Sequence, residues 1–486
     1  MCQLHAGAST LTLTVAVHSK SELSRLRGRK TLLRYWEVWA MRYSDWIDEA
    51  FALELIDKTL SLSPADETEV VIEAMCGGLT RFASNQIHQN MADANCTVSV
   101  RAVIGKRVGG ASTNQIDDDA IRDVVVRATS IASAQRELPN FPGLPTPHPI
   151  PQVNAHSEAT ANASPALRAE LASHIIKAAE LHSADASGAI STSKRLLAVG
   201  NSNGVRAMFI STLVSIHTVI NADGGYGYAS QMAVDITRID AAKVAERALQ
   251  KALMSKNPIE VEPKEYTVIL EEEAVADLLT MLAYCGLGAK AVHEGYSFMC
   301  NRFGERIASE AVTIYDDGLS DEGLPQPFDY EGVPKRRVVL IEKGIAKAVV
   351  YDTYTAAIDA TESTGHALPQ PNPYGPYPTN LFMDCGEESI ERMIESTDCG
   401  LLVTRFHYTN VVHPKLTIIT GMTRDGTFLI RGGKIKSAVR NLRFTESILK
   451  ALSNIEAISN TRKLCGGVVA PAIKISSFNF TGVTEF

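Results

Sequence analysis

Six prolines, at positions 139, 142, 145, 147, 149 and 151, constrain the fold of this chain more than any other feature. Each removes a backbone donor and fixes φ, so neither a helix nor a central strand can run through them. Closely spaced prolines favour extended polyproline conformation instead. The stretch therefore reads as a domain boundary or a long surface crossing, and it divides the chain. Residues 1–40 form an N-terminal extension of unassigned role, 41–138 a first α/β domain, 139–164 the crossing, 165–256 a middle domain and 257–486 a C-terminal domain.

Hydrophobic periodicity places elements on either side of the crossing. Trp46–Leu62 reads as an amphipathic helix, Glu69–Met75 and Thr97–Ile104 as strands, and Gly105-Lys106-Arg107 as a hairpin turn. Pro165–Ser183 reads as a helix with Ser164 as N-cap, because proline at the first helical position gives up an N–H that has no intrahelical acceptor. Arg195–Val199 and Val205–Ile220 read as strands around a turn, and Ala241–Met254 as a helix. Further on, Val275, Leu278, Leu279 and Leu282 recur at helical spacing and predict one face packed into a core, until Gly286 and Gly288 weaken the helix. Val338–Ile341, Ala348–Asp352, Leu401–Phe406, Leu416–Gly421 and Thr427–Ile430 read as strands; Arg431-Gly432-Gly433 joins the last of them to Lys434–Ser437. Segregated helices and antiparallel pairs predict an α+β, multi-domain fold with mixed or antiparallel sheets, not a doubly wound one.

Composition excludes several function classes. With 486 residues and 45% hydrophobic content, the chain can bury a substantial core. The uncharged apolar run Leu278–Ala289 falls short of the roughly 20 residues a membrane helix needs, so no membrane span is expected. A net charge of -8 opposes binding to a phosphate backbone, so no nucleic-acid partner is expected. Eight cysteines without a C-x-x-C pair read as reduced thiols of a cytoplasmic protein. The apolar run Leu11–Val17 precedes its basic cluster (Lys20, Arg25, Arg27, Arg29, Lys30), the wrong order for a secretory signal.

Two short motifs are weaker than they look. Gly200-Asn201-Ser202-Asn203-Gly204 matches the nucleophile elbow, which requires a strand, a strained turn and a helix. The β-branched run after it and the hairpin pair Asn203-Gly204 favour a plain turn. Gly225-Tyr226-Gly227 fails the dinucleotide fingerprint, since Ser230 stands where the third glycine belongs.

A third pattern is more specific. GYSFMCNRFGERIASEAVTIYDDG (Gly295–Gly318) is followed in order by PFDYEGVPKRRVVLIEKG (Pro327–Gly344), STGHALP (Ser363–Pro369), PTNLFM (Pro378–Met383), GLLVTRFHY (Gly400–Tyr408), GMTRDGTFLIRGGKI (Gly421–Ile435) and VRNLRF (Val439–Phe444). RFASNQIHQN (Arg81–Asn90) and VGNSNGVRA (Val199–Ala207) precede it. Together these segments resemble the TldD/PmbA family, in which a zinc-peptidase subunit (TldD) pairs with a related subunit (TldE, or PmbA) that lacks the zinc motif. The resemblance covers nearly everything after Met41. In the zinc-bearing members an H-E-x-x-x-H helix lies upstream of the first block. Counting back without gaps from Gly304 puts its two histidines at Thr280 and Cys285 and its glutamate at Met281. A threonine hydroxyl is a poor zinc ligand and a thioether carries no titratable proton, so this helix can neither hold nor arm a hydrolytic zinc ion. His293-Glu294 is no substitute, since a second histidine is missing at both Ser297 and Phe298.

The resemblance implies a non-catalytic, TldE/PmbA-like subunit of a heteromeric zinc peptidase that degrades or processes unfolded peptides. Such a subunit carries no cofactor of its own; the zinc belongs to a TldD-like partner in a heterodimer or larger assembly, with a homodimer when alone. Two alternatives stay open: an autonomous hydrolase with a site rebuilt from Cys285, His293, Glu294 and Cys465 or a nucleophile at Ser202, and a non-proteolytic binding module such as the gyrase modulator of older family descriptions. Cys465, followed by Gly466, resembles the third zinc ligand of the catalytic subunits, so Cys285 and Cys465 are the candidates for a remnant metal site. The plain reading is two buried small hydrophobes. Candidate peptide contacts are His366 in a proline-bounded loop, Arg405, His407 and Tyr408 along or just beyond one strand, and Arg424 in a turn formed with Asp425 and Gly426. Arg405 and His407 should share a face, and arginine suits bidentate carboxylate contact. A solvated sheet face is the competing account.

Overall fold

The computed structural model describes residues 2–7, 10–16 and 48–484, which build two β-sheets with helices packed on them. The first sheet contains β1 (Cys2–Gly7), β2 (Thr10–Ala16), β3 (Glu67–Ala83), β4 (Gln86–Ile104), β5 (Arg107–Thr113), β6 (Asp185–Asn201), β7 (Arg206–Ala222) and β8 (Gly225–Ala233). Its order is β1-β2-β4-β3-β6-β7-β8, with β5 also on β4. β3 pairs antiparallel with β6 from Glu69–Asn201 to Phe82–Gly188, so the segments before and after the proline crossing share one sheet.

Helices bury apolar stripes against this sheet. Leu55 and Ile56 of the Glu49–Ser61 helix meet Ile121, Val124 and Val125 of the Asp118–Ala134 helix over Val70, Ile72 and Val98. A second core joins the Pro165–Glu180 and Ala241–Met254 helices over Ile190, Ile216 and Ile220. The first helix starts where Asp48 caps it, its carboxylate accepting from the Phe51 N–H at 2.7 Å; Trp46 lies outside the described residues. Ser164 caps as its sequence predicts, accepting from the Leu167 N–H at 3.2 Å with Pro165 in the first turn. The proline stretch is a strap without regular structure up to residue 157. The Leu144 N–H donates to Glu67 at 2.8 Å, the Asn201 amide donates to the Pro145 carbonyl at 2.8 Å, and Phe141 and Leu144 bury against Val103.

The second sheet contains β9 (Glu265–Leu270), β10 (Ile314–Asp316), β11 (Val338–Glu342), β12 (Ile345–Ala346), β13 (Leu381–Met383), β14 (Cys399–His413), β15 (Ile418–Arg431), β16 (Lys434–Ala438), β17 (Leu442–Ser447), β18 (Ile455–Cys465) and β19 (Val468–Val483). β9 pairs parallel with β14 and antiparallel with β19, so the cycle β9-β14-β15-β17-β19 closes on itself. Closure removes exposed strand edges. Phe406, Phe444, Phe478 and Phe480 meet ring to ring in its core. The Glu272–Gly286 helix packs on β14 and β19, and Val275, Leu278, Leu279 and Leu282 form the buried face that their spacing predicts.

Three local expectations are corrected. Ala348–Asp352 is irregular: the Val350 N–H goes to the Leu287 carbonyl at 3.0 Å, and Asp352 caps the Thr353–Ile358 helix. Leu416 ends a short 3-10 turn (Pro414–Leu416) capped by Thr417, and Ile418–Gly421 and Thr427–Ile430 belong to one long strand, β15; Leu401–Phe406 is part of the equally continuous β14. Arg424-Asp425-Gly426 is not a turn but a bulge within β15. Asp425 (φ 53°) and Gly426 (φ 128°) take up an extra residue so that pairing resumes beyond them.

The segment Phe328–Gly332 clasps the two sheets together. Phe328 is buried among Val71, Leu197, Val199 and Val205 of the first sheet. The Tyr330 hydroxyl donates to Glu73 at 3.1 Å, and Arg195 donates to the same carboxylate at 2.7 Å. Arg101 bridges Glu69 at 2.7 Å and Glu331 at 2.9 Å, all three side chains buried. Gly332 (φ 75°) admits no side chain, since a Cβ would come within 2.6 Å of a Val205 methyl. This docking sets β8 and the Ala241–Met254 helix against β15.

Candidate functional site

The Glu272–Gly286 helix opens with three consecutive glutamates, each committed to a cation from a neighbouring element. Glu271 meets Lys251, Glu272 meets Arg247 at 2.8 Å, and Glu273 meets Lys463 at 2.8 Å as well as Ser230. Acidic side chains also suit the positive end of a helix. One turn on stands Asp277, whose carboxyl lies within reach of the Glu273 and Arg405 charges. Burial, reinforced by the Glu273 charge and opposed by Arg405, pushes its carboxyl up to about 7.

The next turns hold Thr280, Met281 and Cys285, which the resemblance sets against the zinc motif, and their side chains do not suit a zinc ion. The Thr280 hydroxyl donates to the Ala276 carbonyl of its own helix at 2.8 Å. The Tyr284 and Tyr377 rings pack 5.3 Å apart beside it, and Met281 packs partly buried on the core. Cys285 is fully buried, and desolvation pushes its thiol up to about 12. Burial, and next the charge of the nearby Glu273 carboxylate, raise the Cys465 thiol above its ordinary value. Glu273 and Cys285 are separated by about 18 Å of helix rise, so the two thiols lie toward opposite ends of the helix and do not form a pair. Among the described residues no cluster of three or more His, Cys, Asp or Glu is placed to hold a metal.

The other candidates of the sequence are dispersed. His293 pairs with Asp359 at 2.9 Å, while Glu294 lies 3.7 Å from Lys290, so neither joins Cys285 and Cys465. Ser202 sits in a turn between two strands, its hydroxyl accepting from the Thr68 N–H at 3.1 Å, which is not the strand–turn–helix of a nucleophile elbow.

Of the expected peptide contacts, His366 is the clear correction. It is fully buried, with Nε2 on Asp316 at 2.8 Å and Nδ1 on the Thr364 hydroxyl at 2.9 Å, and touches no open surface. Lys335, His366 and the Asn380 N–H together hold the buried Asp316 carboxyl down at about 2, against the cost of burial. Arg405 is likewise engaged: Nε and Nη2 both donate to Asp425, the first at 2.8 Å, and the guanidinium stacks 4.3 Å over the Tyr228 ring. Its charge is not available for a second bidentate contact. Arg424 stands opposite Arg405 in the β14–β15 ladder with its side chain 40% exposed. His407 and Tyr408 are exposed just beyond it, Tyr408 in a left-handed conformation (φ 55°). Partial burial and the nearby Arg424 and Arg405 charges hold the His407 imidazole below its usual value.

Sequence reasoning missed the polar face made by Glu273, Asp277, Tyr228, Ser230 and Lys463. One signal was present: Asp277 is the only charged residue between Ala274 and Ala289 of an otherwise uncharged helical stretch.

The comparisons with known proteins agree along the chain. Residues 68–132 match the PmbA/TldA metallopeptidase domain 1, residues 159–256 its central domain and residues 263–482 its C-terminal domain. The chain is 26% identical over 422 residues to the metalloprotease TldD homolog of Buchnera aphidicola subsp. Schizaphis graminum, covering 79% of this chain and 86% of the relative. It is 23% identical over 443 residues to metalloprotease PmbA of Escherichia coli O157:H7, covering 86% and 94%. The fold superposes on the crystal structure of TldE from Thermococcus kodakarensis with a TM-score of 0.80 at 23% identity, covering 89% of this chain and 100% of that one. On these matches, together with the clasped two-sheet fold, the chain belongs to the PmbA/TldD metallopeptidase family.

Proposed function

We propose that this chain is a non-catalytic, TldE/PmbA-like subunit that associates with a TldD-like zinc peptidase acting on unfolded peptides. One observation carries the reading: the helix that the resemblance aligns with the family's zinc motif presents a threonine bonded to its own backbone, a thioether and a thiol buried in the core. The zinc and its histidines belong to the partner. This chain contributes chamber wall and part of the surface that positions peptide, with Arg424, His407 and Tyr408 as its exposed polar groups. Holding an extended peptide in place lowers the entropic cost of the chemical step. Cysteines without C-x-x-C spacing, and the lack of any helix long and apolar enough to cross a membrane among the described residues, support a cytoplasmic setting.

Co-expression with a family member that carries the intact H-E-x-x-x-H helix tests the proposal. The two chains should co-purify and hydrolyse an unfolded peptide in a chelator-sensitive way, whereas this chain alone should not. Chelator-sensitive hydrolysis by this chain alone overturns the proposal in favour of an autonomous enzyme.

A further inference from the structure

A cavity of about 580 Å³ opens where the first sheet docks on the second, between the β7–β8 turn, the end of the Ala241–Met254 helix and the bulge in β15. Two features of its wall point to a ligand. Ser255 Oγ and Thr427 Oγ1 both belong to cavity-lining residues and are buried without a hydrogen-bond partner among the described residues. Buried hydroxyls are ordinarily satisfied, and each left unpaired costs stability. Beside them the cavity carries two guanidinium groups. Arg440 lies 3.2 Å from Glu260, but Arg424 comes no closer than 4.0 Å to Asp425, which is already bound by Arg405.

We infer that this cavity binds a carboxylate, and that the carboxylate is the free C-terminus of a peptide. A planar monoanion matches a guanidinium fork flanked by hydroxyl donors. A phosphate dianion fits worse, because Asp425 and Glu260 stand in or beside the wall and the helix ending at Met254 directs its negative pole to the same place. Tyr226 and Pro258 give the cavity an apolar side against which the last side chain of the peptide rests. The choice of a peptide as the source of the carboxylate rests on the proposed function; the preference for carboxylate does not.

The test uses the purified full chain without any partner. A tetrapeptide ending in leucine, labelled at its N-terminus, is titrated by fluorescence anisotropy as the free acid and as the C-terminal amide, with acetate and inorganic phosphate as competitors at equal ionic strength. The free acid should bind at least tenfold more tightly than the amide, and acetate should compete better than phosphate. Arg424→Gln should abolish the difference between acid and amide. Thr427→Val should weaken the acid severalfold while leaving the melting temperature unchanged, since no protein hydrogen bond is lost. Equal binding of acid and amide, no binding of either, or stronger competition by phosphate overturns the inference. Failure to find a zinc-bearing partner refutes the subunit reading and leaves this comparison of acid with amide intact.

Discussion

The Thr280 hydroxyl donates to the carbonyl of Ala276, 2.8 Å away and one turn back along the same helix. A neutral hydroxyl tied to its own helix is a poor zinc ligand, and its neighbour Met281 supplies no proton acceptor, while Cys285 is buried in the core. Thr280→Val should therefore change stability by less than about 1 kcal/mol, since a helical hydroxyl returning to its own backbone contributes little. It should also leave the peptidase activity of the assembled complex unchanged. A loss of activity beyond tenfold, with the complex intact, would place Thr280 in the chemistry.

The clasp between the sheets depends on one guanidinium shared by two buried carboxylates. Arg101→Met leaves Glu69 and Glu331 facing each other without a cation, and breaking a buried pair in this way costs about 3–5 kcal/mol. Glu331→Gln should cost less, because Glu69 keeps its partner. Urea unfolding of the three proteins checks the ranking, and equal losses for the two variants would contradict it.

Stability should fall as pH rises from 5 to 8. Asp277 is raised to about 7 in the folded chain against an ordinary value of 3.8, so the folded state holds that proton more tightly than the unfolded state does. Its contribution is complete below about pH 4 and is lost as pH climbs through 7. Glu69, raised to about 7 by burial, and Asp329, raised to about 8 by burial and the Glu331 charge, act in the same direction. Asp316, held at about 2, matters only in acid. Melting temperatures at pH 5 and pH 8 should differ in favour of pH 5, and Asp277→Asn should narrow the gap. A higher melting temperature at pH 8 would contradict the assignment.

Gly426→Ala tests the bulge that orients Arg424 and Asp425. At φ 128° a side chain is strained, and its Cβ would approach the Thr404 hydroxyl to 2.5 Å. A cost of about 1–3 kcal/mol is expected, measured by thermal unfolding, and a neutral substitution would show that the bulge relaxes freely.

Much of this was legible in the sequence, and the rest was not for identifiable reasons. The buried stripe Val275, Leu278, Leu279 and Leu282 and the Ser164 cap follow from spacing within one or two helical turns, which a sequence displays directly. The register that sets Thr280, Met281 and Cys285 against the zinc motif came from the resemblance, counted back from Gly304. Continuity of β15 through Asp425 and Gly426 was hidden, since a bulge and a turn draw on the same residue types. His366 resembled a surface group because nothing near it in sequence announces Asp316, fifty residues earlier. Arg101 and Glu331 likewise carry no local sign of one another across 230 positions.

The most direct test of the central claim is the metal content of the purified full chain. After equilibration with excess zinc and desalting, elemental analysis should find far less than one zinc per chain, because Thr280, Met281 and Cys285 cannot retain it. One tightly held zinc per chain, lost on Cys285→Ala or Cys465→Ala, would contradict the account.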